Sequence, residues 1–216
     1  MGPDGPREEI QRAIQATGCE LRPDPARGGF YCVDCPTYQA RAELVDALAW
    51  RDGLHDGAVR ELALAITRHL PSLDPESCAR AVHAAVRDRI RYVGEGGDMI
   101  QDPIYTWENA AGDCDCHARL VLALLRSLGV DCAFCGFETE HRSHAGGYAA
   151  NDGGPFVAHA VATWRRNPGE FVWLETTIPG AAFGEHPQAA ADRIFRPAES
   201  DARPTTWIGR LLRWLP

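Results

Sequence analysis

Residues 112–129 read Gly112-Asp113-Cys114-Asp115-Cys116-His117-Ala118-Arg119-Leu120-Val121-Leu122-Ala123-Leu124-Leu125-Arg126-Ser127-Leu128-Gly129. This stretch decides the fold, because it is a helix with both ends written into it. Asp113 suits an N-cap, and Gly129 falls where a left-handed C-terminal residue belongs. Between them runs a nearly continuous apolar segment, interrupted chiefly by Arg119 and Arg126, so most of the helix is predicted to be buried. Its first turn carries two thiols. A cysteine there lies beside unsatisfied backbone N–H groups and the positive end of the helix dipole, and both favour the nucleophilic thiolate. Asp113 and Asp115 oppose that effect, and the sequence leaves the balance open.

One cleft cannot use both thiols, since two residues of helix rotate a side chain by about 200°. Cys114 heads a face continued by Ala118, Val121 and Leu125. Cys116 lies above Leu120 and Ala123 and reads as a small buried hydrophobe. Asp115 shares a face with Arg119 and Arg126, which reads as solvated. Cys114 is therefore the candidate nucleophile.

Upstream, the periodicity predicts helices. Ile10 to Thr17 is a short one closed by Gly18, and Thr37 to Trp50 and Gly57 to Leu70 are longer ones. Another opens on Asp74-Pro75-Glu76, with Asp74 as cap and Pro75 in the first helical position, and runs to Ile90. His69 and His83 read as ordinary residues of helix surfaces. A short strand is expected at Phe30 to Val33 within a loop-rich region, and residues 1–9 are expected to be mobile. Gly94 to Ala111 reads as a connecting segment. Downstream the composition turns to Val, Phe, Trp and Thr, predicting strands at Val130–Phe137, Phe156–Arg165 and Glu170–Thr177. Helices first and strands after is an α+β order. We divide the chain into an N-terminal extension (1–56), a catalytic domain (57–200) and a C-terminal amphipathic helix (201–216).

Composition sets outer bounds. The 216 residues, 45% hydrophobic and 24% charged, suit a soluble globular protein. A net charge of −8 argues against nucleic acid as a partner. No secretory signal or sustained apolar span is visible, so a cytoplasmic location and no membrane partner are expected. All 22 basic residues are arginine, which leaves no lysine amine to accept an acyl group from the protein's own site. The eight cysteines do not suggest a disulfide scaffold at this length. Cys32 and Cys35 have CxxC spacing, with Cys19 upstream, but no matching pair is nearby. Cys132 and Cys135 repeat the spacing on a strand, where residues three apart face opposite ways. No metal is expected.

A cysteine nucleophile needs a base, and the base needs a group to orient it. Of the eight histidines, His141 and His144 sit in a glycine-rich stretch (141–155) that reads as a loop beside the cleft, and His55 and His186 are in turn-like contexts. His159 alone interrupts a strand of apolar and small residues. Asn167-Pro168-Gly169 marks a hairpin, and a pairing centred on Asn167 sets His159 directly opposite Glu175. A buried histidine satisfied by a cross-strand carboxylate is the bland alternative.

Gly-Asp-Cys-Asp ahead of an apolar helix ending Leu-Gly-Val, then a histidine strand, then Trp173-Leu174-Glu175-Thr176-Thr177, resembles the transglutaminase-like cysteine superfamily. The likeness spans roughly residues 57–180 and is strongest over 112–129. Helices ending at Tyr92 and a linker with Asp102-Pro103 are similar to small bacterial and phage-borne members. The resemblance implies a papain-like arrangement in circularly rearranged order, with Cys114 as nucleophile, His159 as base and Glu175 as orienting acid. The family usually carries Asp at the third position, and it often has a second acid where Cys116 stands.

The implied reaction is acyl transfer at an amide or peptide carbonyl through a thioester, without cofactor, on a protein or peptide substrate. Hydrolysis is placed slightly ahead of amine transfer. A non-catalytic scaffold or assembly module, in a phage or prophage particle, is the alternative. Tyr105 or Trp107 could donate to the oxyanion, though each reads first as a core aromatic. Thr205-Thr206 could cap a helix presenting Trp207, Ile208, Leu211, Leu212 and Leu215 on one face, for docking on the chain itself, a second copy or a larger assembly.

Overall fold

A computed structural model describes residues 5–94, 99–139, 157–187 and 189–190. The glycine-rich stretch at 141–155 and the C-terminal helix expected at 201–216 lie outside the described residues. In chain order the elements are α1 (Gly5–Ala16), β1 (Glu20–Pro23), β2 (Phe30–Asp34), α2 (Tyr38–His55), α3 (Gly57–Thr67), α4 (Pro75–Arg89), β3 (Arg91–Tyr92), β4 (Met99–Gln101), α5 (Pro103–Asn109), β5 (Ala111–Gly112), α6 (Cys114–Ser127), β6 (Cys132–Thr139), β7 (Val157–Asn167) and β8 (Glu170–Leu174). The α+β expectation stands.

Helix α6 is the axis. Leu120, Val121, Leu122, Leu124 and Leu125 are each fully buried, and each contributes about 1.5–3 kcal/mol relative to exposure. They pack against Val59 and Ala63 of α3, Val82 and Val86 of α4, and Ala162, Trp164, Val172 and Leu174 of the sheet. The helix opens as written: Asp113 accepts from the Cys116 N–H at 3.0 Å, and Gly129 takes φ +77°.

The face through Asp115, Arg119 and Arg126 is not solvated. All three are buried, because α2 lies across it and supplies an opposite charge to each. Arg41 pairs with Asp115 at 2.6 Å, Asp52 with Arg119 at 2.7 Å, and Asp46 with Arg126 at 2.5 Å. Gly53 marks the closest approach, where an added Cβ would sit 2.8 Å from Arg126 Cβ and 2.9 Å from the Ala123 carbonyl oxygen. The charges expected to meet water are satisfied by a second helix.

Two further readings are corrected. The segment 94–111 is not merely connecting: it forms β4, α5 and β5. Asp102-Pro103 starts α5 as Asp74-Pro75 starts α4, but Asp102 makes no side-chain cap. Its carboxylate instead accepts from Arg119 at 2.8 Å and from the Tyr31 hydroxyl at 3.2 Å. The cysteines are also not all reduced, since Cys19 and Cys35 form a disulfide. That bond takes Cys35 out of its CxxC pair with Cys32 and ties the chain ahead of β1 to the residues just before Thr37, the N-cap of α2.

Sheet β6–β7–β8 is antiparallel throughout. Its hairpin register differs from the one expected. The pairing is displaced by two residues, so Leu174 faces Ala162 rather than Ala160, and a one-residue irregularity lies between Arg165 and Asn167. A slip of two keeps every side chain on its face, and Glu175 lies one residue beyond the end of β8.

Candidate active site

Cys114 occupies the first position of α6 and is half-buried. The parallel pair of β3 with β5, Tyr92 beside Gly112, fixes the chain just ahead of it. On the other side lies β7, whose Ala160 backbone N–H is near enough to the Cys114 thiol to favour its ionised form. Burial pushes this thiol well above its ordinary value, and the Asp115 and Asp113 charges add to the rise. The Ala160 N–H and the Arg41 charge act the other way but do not overcome it. The helix start therefore does not leave a thiolate at rest.

His159, one residue before Ala160, is fully buried. Its Nε2 meets Glu175 Oε2 at 2.7 Å. The bond survives the register shift because Glu175 reaches back from the turn after β8. The other carboxylate oxygen accepts from the Thr177 N–H at 2.6 Å and the Thr177 hydroxyl at 2.7 Å. Burial alone raises the Glu175 carboxyl, but the His159 charge and the hydrogen bonds outweigh it and hold the group at about 2.

Two histidines not singled out in the sequence complete the surroundings. His83, expected on the surface of α4, is buried and bonds through Nε2 to the Glu175 carbonyl oxygen at 2.8 Å. That acceptor obliges His83 to carry the proton on Nε2. His117, one turn after Cys114, bonds through Nδ1 to the Thr176 hydroxyl at 3.1 Å, and burial lowers it to about 4. The signal available for His117 was its place on the otherwise apolar α6, and for His83 its spacing with Val82 and Val86.

Tyr105 packs its ring on Phe30, and Trp107 lies under the Arg89 guanidinium. Among the described residues no cluster of histidine, cysteine and acidic side chains is arranged to hold a metal, and no helix is long and apolar enough to cross a membrane. A cleft of about 600 Å³, lined in part by Tyr31, Arg51, Asp52, Asp102 and Glu108, contains none of Cys114, His159 and Glu175.

Among solved structures, a candidate cysteine protease from Cytophaga hutchinsonii is similar at 19% identity and a TM-score of 0.39, over 56% of this chain and 37% of that one. The periplasmic domain of TgpA from Pseudomonas aeruginosa is similar at 16% identity and a TM-score of 0.40, over 61% of this chain and 47% of that one. The chain thus spans less than half the length of either. No curated protein sequence matches it. The family model of the transglutaminase-like superfamily matches residues 61–180, which hold α6, β6, β7, β8 and Glu175. By that match over more than half of its length, the chain belongs to the transglutaminase-like superfamily.

Proposed function

We propose that this protein is a cysteine-dependent enzyme that transfers the acyl group of an amide or peptide carbonyl, with Cys114 as nucleophile, His159 as base and acid, and Glu175 as the orienting carboxylate. The observation that carries the reading is the 2.7 Å bond between buried His159 and buried Glu175. It sits on a strand whose next residue, Ala160, brings its backbone N–H near the Cys114 thiol.

Because the resting thiol is protonated, His159 removes its proton as the sulfur attacks. A carbon–sulfur bond forms, and the carbonyl oxygen takes up the negative charge. The backbone N–H of Cys114 and one further donor would hold it. On collapse the carbon–nitrogen bond breaks, and His159 returns its proton to the departing amine. Water then releases the thioester as an acid, or an amine releases it as a new amide. Either step regenerates the thiol. Water is favoured, since the 141–155 stretch preceding the His159 strand is polar and glycine-rich. A protein or peptide supplies the carbonyl, and no cofactor takes part.

The test is incubation with glutamine-containing peptides, with and without an added amine, reading ammonia release and peptide cleavage. Cys114→Ala and His159→Asn should abolish turnover, and Glu175→Gln should slow it by about two orders of magnitude. Equal turnover in Cys114→Ala sinks the assignment. Absence of turnover in wild type, with assembly into particles unaffected by Cys114→Ala, favours a scaffold.

A further inference from the structure

Helix α2 precedes the region matched by the family model, yet one of its side chains reaches the first turn of α6. Arg41 donates from Nε to Asp115 Oδ2 at 2.6 Å and from a terminal nitrogen to the Met99 carbonyl oxygen at 3.1 Å. The two side chains of the ion pair are only 13% and 7% exposed. Their placement is fixed from several sides. Thr37 caps α2 through the Ala40 N–H at 3.0 Å, and Ala40 and Ala42 on either side of Arg41 are buried. Further along, Gly53 lets the helix lie close on α6.

Asp115 follows Cys114 directly. A carboxylate in that position, without a cation, sets negative charge against the developing thiolate. Asp113, the other flanking acid, already shares its charge with the Cys116 N–H. The groups that act on the thiol are Asp113 and Asp115 on either side of it, the Ala160 backbone on β7 and Arg41 on α2.

We propose that Arg41 is a positioning residue of this site: its ion pair with Asp115 screens Cys114 from the neighbouring carboxylate and favours the attacking thiolate. The segment ahead of the family region thereby takes part in the chemistry. The inference rests on Cys114 being the nucleophile. Arg41 touches no reacting atom and acts through Asp115.

The experiment is alkylation of the intact protein with iodoacetamide across a pH series, with modification quantified at Cys114 by peptide mass spectrometry. Arg41→Gln should displace the rate–pH curve upward by about one unit, a roughly tenfold slower reaction at a pH below the midpoint. Asp115→Asn should displace it downward, and the double variant should return close to wild type. A merely structural role for Arg41 would lower the melting temperature without ordering the three curves in this way. A folded Arg41→Gln protein with the wild-type curve overturns the proposal. If Arg41→Gln fails to fold, Asp115→Asn decides: a curve not displaced downward overturns it. Turnover that survives in Cys114→Ala would instead overturn the nucleophile reading, and leave the effect of Arg41 on the thiol measurable. The two failures are therefore told apart.

Discussion

His83 donates from Nε2 to the carbonyl oxygen of Glu175 at 2.8 Å. A helix from the first half of the chain thus holds the backbone of the residue whose carboxylate is bonded to His159. His117 holds the next residue through the Thr176 hydroxyl. The turn after β8 is therefore pinned by two buried imidazoles, one from α4 and one from α6.

That arrangement predicts acid sensitivity. The folded His117 is lowered to about 4 from an ordinary 6.5, chiefly by burial. Between those values the unfolded chain binds a proton that the folded chain refuses. The stability is thus fully present above 6.5 and is lost as the pH falls towards 4, by about 3 kcal/mol. His83 is lowered in the same direction by burial. Glu175, held at about 2 against an ordinary 4.5, adds a second loss as the pH falls from 4.5 towards 2. Urea unfolding at a series of pH values should show both windows. His117→Phe should shrink the upper one, leaving the His83 part, and keep the lower in place.

Arg119 is fully buried between Asp52 and Asp102 and also donates to the Gln101 carbonyl oxygen. Arg119→Leu should cost about 3–5 kcal/mol, because two carboxylates lose their cation. Asp52→Asn combined with Arg119→Leu should cost less than the sum of the single changes. A double-mutant cycle in urea reads the difference, and simple additivity would show that the charges are not coupled.

Gly53→Ala should destabilise by about 1–3 kcal/mol. Alanine is ordinarily the better helix former, so propensity alone predicts the opposite sign. The cost arises from the added carbon meeting α6 at 2.8 and 2.9 Å. A gain in melting temperature would mean that α2 does not approach α6 so closely.

Replacing Cys19 and Cys35 together with serine should remove about 3 kcal/mol, the value for a disulfide separated by 16 residues. Wild-type protein should lose a similar amount in reductant, whereas the double variant should be indifferent to it. A wild-type melt unchanged by reductant would sink this assignment.

The sequence made α6 legible because its signals are local: a capping aspartate, a closing glycine and an apolar run. Asp74-Pro75 gave α4 for the same reason. Asp102-Pro103 shares the Asp-Pro pair, but the glycines and aromatics around it resemble a loop, and Asp102 spends its carboxylate on Arg119 rather than on a cap. The solvated reading of Asp115, Arg119 and Arg126 failed for a different cause. Charge on a helix says that a partner is required, but whether water or another helix supplies it depends on contacts 67 to 80 residues distant, as for Arg119 with Asp52 and Arg126 with Asp46. The contact between His159 and Glu175 is legible from the hairpin, although the actual register, two residues away from direct opposition, is not. His83 could not be told from a surface histidine, because its partner is a backbone carbonyl on a distant turn.

The three ion pairs between α2 and α6 bear on how such a chain can be inherited. A recombination event that carried only residues 61–180 to a new context would bring Asp115, Arg119 and Arg126 without Arg41, Asp52 and Asp46. The transplanted helix would then keep only Asp102 against Arg119, and would leave Asp115 and Arg126 uncompensated unless a new neighbour supplied the opposite signs. Changes on either helix are thereby tied to the other, charge by charge. The expected mark in related chains is joint replacement at 41 and 115, at 52 and 119, and at 46 and 126.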